Sequence, residues 1–96
     1  MNTFAEFKES LILDNPPQEF AATLRSLWYD GKGDWQQAHA QVDHLTDQQS
    51  AWVHAYLHRK EGDSWNADYW YSRAGKKRPD FSLEKEWEQL LEFFLS

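Results

Sequence analysis

Residues 51–75, AWVHAYLHRKEGDSWNADYWYSRAG, contain two helical segments separated by one break. Apolar and small residues recur at three- and four-residue spacing, the signature of a helix with one buried face. Gly62-Asp63 supplies both a stop and a start, because glycine takes the left-handed conformation that closes a helix and aspartate caps the amides that open the next. Histidines, carboxylates and aromatics are denser here than a core requires, so the same stretch marks where a site would lie.

The punctuation continues on both sides. Thr3 and Glu6 have capping-box spacing ahead of a first helix, and Asn15-Pro16-Pro17 ends it and starts a second, expected from about Pro17 to Lys32. Gly33-Asp34 then opens a third, with Trp35, Ala38, Val42 and Leu45 on one stripe. Thr46 with Gln49 predicts the cap of a fourth helix reaching Glu61, and Gly62-Asp63 starts a fifth, which runs to about Ala74. A last helix after Ser82 carries Leu83, Trp87, Leu90, Leu91 and Phe94 on one side and acidic residues opposite. Two-residue alternation never persists, so no strand is expected. The prediction is an all-α chain forming a single domain over residues 1–96, with antiparallel helical hairpins between an N-terminal helix and a C-terminal capping helix.

Sliding the chain by 29 residues brings Gly33-Asp34 onto Gly62-Asp63 and Ala38 onto Ala67. Two degenerate copies of one hairpin are therefore expected, with small alanines allowing close helix approach. Ala55, Leu57, Gly62, Asn66-Ala67, Trp70-Tyr71 and Ala74 resemble a tetratricopeptide-type repeat of the Sel1 kind, which implies a helix–turn–helix unit used in protein binding. HAYLHRKEGDSWNADYWYSRAG, residues 54–75, also resembles a motif of small uncharacterised bacterial and fungal proteins.

Composition narrows the functional classes. The 96 residues include 10 basic and 16 acidic side chains, a net charge of −6, which gives no electrostatic footprint for nucleic acid or an anionic membrane. There is no cysteine, so neither a disulfide framework nor thiolate chemistry is available. No apolar run approaches a signal or membrane-spanning segment, and a soluble cytoplasmic protein is expected. Aromatics make up 17% of the chain beside a mean hydropathy of −0.88; a few large rings must fill the core.

On the fourth helix, His54, His58 and Glu61 share the sector left free by the apolar residues. Histidines at i and i+4 can reach one metal ion, Glu61 stands one turn further, and His39 joins them if the third and fourth helices pack antiparallel. The order H-x-x-x-H-x-x-E lacks the glutamate of a zinc-protease helix. A divalent metal site at His54, His58 and Glu61 competes here with a polar interhelical seam whose histidines are satisfied by carbonyls and carboxylates. Acid–base catalysis is chemically open to an imidazole, but no nucleophile, phosphate loop or second carboxylate accompanies it, and no catalytic residue is assigned.

On the fifth helix, Asn66, Tyr69 and Arg73 share a side, with Trp65 adjacent. Aromatics beside arginine form the composition of a binding hot spot, although Tyr69 and Arg73 at i, i+4 also stack locally. Lys76-Lys77-Arg78 reads as a solvated helix end, and Phe93 and Leu95 widen the apolar sector of the last helix enough for a dimer contact. The functional expectation is a binding module that takes a peptide or small ligand in a groove between the third, fourth and fifth helices. His39, His54, His58 and Glu61 would give it polar specificity, and Trp65, Tyr69 and Arg73 contact area. The alternatives are a metal-dependent enzyme or metal-binding protein at the histidines, and a structural dimerisation domain; the protein is expected to be a monomer or weak homodimer.

Overall fold

The computed structural model describes residues 3–95. Helix α1 spans Phe4–Ser10, α2 Ala22–Gly31, α3 Trp35–Val42, α4 Gln48–Lys60, α5 Ser64–Arg73 and α6 Leu83–Leu95. Among the described residues there is no strand, so the chain is all-α as its periodicity predicts. None of these helices is long and apolar enough to cross a membrane.

Short polar side chains start most of the helices. Thr3, Asp34, Asp47 and Asp63 accept from the backbone N–H groups of Glu6, Gln37, Ser50 and Asn66, caps worth about 1 kcal/mol each. At α4 the cap is Asp47 rather than the expected Thr46. Its carboxylate lies 3.0 Å from the Ser50 amide, and a negative charge is the better partner for the positive end of a helix.

The turn between α2 and α3 is repeated between α4 and α5. Gly33 and Gly62 have φ of 82° and 87°, and the amides of Asp34 and Asp63 each reach back 2.9 Å, to the carbonyls of Tyr29 and His58. An added Cβ would meet nothing within 4 Å at either glycine. The requirement is therefore for backbone conformation and not for space.

Helix α2 begins five residues later than Pro17 suggests. Phe20 is buried and stacks on Phe7, ring centroids 5.8 Å apart, and its carbonyl accepts from the Arg25 guanidinium at 2.7 Å. Burying that ring against α1 and spending its carbonyl on Arg25 holds residues 17–21 out of a continuous helix.

Helix α4 is the hub. Every residue from Ser50 to His58 is buried, and α4 packs on α2, α3, α5 and α6, while α1 packs on α6. Ala38, Ala51, Ala55 and Ala67 are fully buried, and small residues there let the helix axes approach closely. Leu27, Trp28, Val42, Val53, Leu57, Leu90 and Leu91 fill the space between. Trp28 and Trp52 lie in this core as the spacing suggests, whereas Trp35 and Trp87 are only partly buried against it.

Two carboxylates are buried with the apolar residues. Glu86, expected on the solvated side of α6, is 1% exposed. It accepts from Tyr71 Oη at 2.7 Å, Arg59 Nη1 at 2.9 Å and Trp52 Nε1 at 3.3 Å. Asp30 of α2 accepts from Tyr56 Oη and Lys60 Nζ, each at 2.7 Å. Burial is the first cause, and the adjacent carboxylate the second, that pushes both tyrosine hydroxyls far above their ordinary range, so both stay protonated as donors. Adjacent residues Arg59 and Lys60 thus bind α4 to α6 and to α2.

Candidate functional site

The polar sector of α4 faces α3 and α5 instead of solvent. His54 is 4% exposed and His58 9%. His39 comes across from α3, its Nε2 3.0 Å from His54 Nε2. One ligating nitrogen from each of His39, His54 and His58 lies within 4.8 Å of the others. The expected approach of His39 to the pair on α4 is therefore present in the fold.

Two tryptophans wall the triangle. Trp35 stacks on His39 with centroids 4.8 Å apart and planes 12° from parallel, and Trp70 stacks on His54 at 4.0 Å and 21°. Trp35 is held by its own indole N–H, which donates to the Leu57 carbonyl at 2.8 Å. Carboxylates stand behind two of the imidazoles. Glu61 Oε1 is 2.5 Å from His58 Nδ1, and Asp43 Oδ2 is 3.6 Å from His39 Nδ1. The third imidazole has no such support, since His54 Nδ1 is buried without a hydrogen-bond partner.

Burial, followed by the neighbouring His39 and His58, drives the His54 pKa down to about 4. Burial also lowers that of His39, with His58 adding to the effect and Asp43 and Glu61 opposing it. His54 is accordingly neutral at physiological pH. A neutral imidazole offers a lone pair, which a cationic one does not.

Nitrogens bound to one tetrahedral zinc ion at roughly 2.0–2.1 Å sit about 3.3 Å from each other. The spacing here needs side-chain adjustments of about an ångström, within the reach of χ rotations on helices already in contact. Glu61 also groups with His58 and Asp63, although Asp63 is committed to the cap of α5 through Asn66 N at 3.1 Å and Asn66 Nδ2 at 2.7 Å.

The other residues expected at the site are not part of this triangle. Trp65 is 78% exposed and Tyr69 48%, and Arg73 donates to Tyr69 Oη at 3.3 Å on the outer face of α5. Trp70 links the two regions, with its ring against His54 within and the Arg73 guanidinium 5.5 Å from its centroid without. Sequence reasoning missed Trp35, Trp70 and Asp43 as surroundings of the histidines. Trp35 and Asp43 each stand four residues from His39, the helical spacing that would have flagged them. Two residues of the basic run 76–78 are engaged locally: Lys76 lies 4.1 Å over the Trp52 ring, and Arg78 pairs with Asp68 at 2.9 Å.

Comparison of the chain with known protein families, curated proteins and solved structures found no match.

Proposed function

We propose that this protein binds a divalent transition-metal ion of the zinc class through His39, His54 and His58. One observation carries the proposal: imidazoles from two different helices converge within the span of a shared ion, and two of them have carboxylates behind them. At His58 the Glu61 carboxylate is within hydrogen-bond reach of the far nitrogen, where it fixes the tautomer and raises ligand basicity, while Asp43, 3.6 Å from His39, acts through its charge. The three rings otherwise have little reason to be buried together, since mutual hydrogen bonding leaves one nitrogen of His54 without a partner, a cost of about 1–3 kcal/mol. Imidazole suits zinc, copper and nickel better than magnesium or calcium.

Titration of metal-stripped protein with zinc, nickel and copper, followed by calorimetry and by the fluorescence of Trp35 and Trp70, tests the proposal. One equivalent should bind, and His39→Ala should abolish it. Protein that melts at the same temperature with each ion and with chelator would remove the proposal.

Around this centre we read α2–α3 and α4–α5 as two copies of a Sel1-like helix–turn–helix unit within one domain, a reading supported by the matched turns at Gly33 and Gly62. A second functional reading, recognition of a protein segment by the outer face of α5 in a cytoplasmic protein, is favoured by the exposure of Trp65 and Tyr69 beside Arg73. Tyr69→Ala combined with Arg73→Ala should change folding stability by less than about 0.5 kcal/mol. Unfolding of that double variant would make the face structural.

A further inference from the structure

We infer that the ion held by His39, His54 and His58 keeps a fourth coordination position open to solvent, and that this position takes water, hydroxide or a small anion. The inference rests on the metal-binding proposal above. Zinc-class ions bound by three protein ligands keep a fourth, exchangeable position, whereas structural sites close it with another side chain. The nearest candidates to close it are Glu61, Asp43 and Asp63, and each is already engaged. Glu61 Oε1 is held 2.5 Å from His58 Nδ1. Asp43 faces His44 Nδ1 at 3.2 Å through one oxygen and His39 Nδ1 at 3.6 Å through the other. Asp63 accepts from both nitrogens of Asn66 and caps α5. A move onto the ion would cost Glu61 its hydrogen bond to His58, Asp43 its hydrogen bond to His44 and Asp63 its cap of α5.

Burial gives the open position a direction. His54 and His58 are enclosed between α3, α4 and α5, while the side chain of His39 is 25% exposed. The stacked rings of Trp35 and Trp70 cover two of the imidazoles. The side of the triangle nearest solvent is therefore the α3 edge, at His39. Charge gives the ligand class. Neutral imidazoles bring no charge to the ion, and Glu61 and Asp43 stand behind the rings rather than on it, so the ion keeps net positive charge at its open position, where it favours an anion and acidifies bound water.

Cobalt(II), a spectroscopic substitute for zinc, provides the test. The cobalt-loaded protein is titrated with sodium azide against a sodium perchlorate control, and its visible absorption is followed. The bands should shift saturably with azide in the wild type, should do so too in Glu61→Ala at a cobalt excess that offsets the lost support of His58, and should be absent from His39→Ala. Bands that ignore azide in the wild type but respond in Glu61→Ala would identify Glu61 as the fourth ligand and overturn the inference. Bands that ignore azide in both proteins would overturn it as well, through closure by another group. Wild-type protein that develops no cobalt bands would instead overturn the metal proposal itself, so the two failures are distinguishable.

Discussion

Of the polar clusters buried against α4, those around Glu86 and His54 differ most in how completely they satisfy themselves. Around Glu86 a negative charge meets a guanidinium, a phenol and an indole, each a donor to a carboxylate that only accepts. Around His54 three like groups meet, and one buried nitrogen has no partner. The first arrangement is what a fold uses to join helices, because every buried group finds a complementary one. The second costs stability as it stands, and the proposed cation would offset that cost by taking up lone pairs that have no partner. Polar burial is therefore uninformative about function until its hydrogen bonds are followed to their ends.

The comparison breaks most visibly at Glu86. Glu86→Ala leaves Arg59 buried without its counter-charge and Tyr71 without an acceptor, and should cost about 3–5 kcal/mol in urea unfolding. A loss below about 1 kcal/mol would show that the carboxylate does not organise the core. Next in size is the pH response of the metal-free protein. His54 titrates near 6.5 when unfolded and at about 4 when folded, so in this interval the unfolded chain binds a proton that the folded one refuses. Stability should be level above pH 6.5 and fall by roughly 3 kcal/mol on descending to pH 4. A flat profile over that range would contradict the buried neutral imidazole.

Zinc at a hundredfold excess over its Kd should raise stability by about 2.7 kcal/mol, readable as a shift in melting temperature that His39→Ala removes. The smallest effect is expected for His54→Phe without metal, which keeps an aromatic ring against Trp70 while deleting the unpartnered nitrogen. Its stability should stay within about 1 kcal/mol of the wild type, while its zinc response disappears and the pH slope from 6.5 to 4 shrinks to what the lowered pKa of His39 contributes. A large loss there would make the histidine cluster as structural as the glutamate network.

Much of this was legible in local pattern. Gly33, Gly62 and the caps at Thr3, Asp34 and Asp63 are short-range features, each specified by residues within a turn of one another. His54 and His58 share a face by helical periodicity alone. The burial of Glu86 was not legible, because it depends on Trp52, Arg59 and Tyr71, which come from two other helices. The late start of α2 was hidden for the same reason, since Pro17 is a good first helical residue but Phe20 is drawn into a stack with Phe7.

What the sequence determined by itself is the set of helices, most of their boundaries and the alignment of two histidines along α4, because these follow from backbone preferences and a 3.6-residue period. Only the tertiary structure decided that the histidine face turns inward, that His39 reaches within 3.0 Å of His54 and that Glu86 belongs to the core. Those outcomes depend on which helix packs against which. That choice minimises exposed apolar surface and unpaired polar groups over the whole chain at once, and no single window of residues contains it.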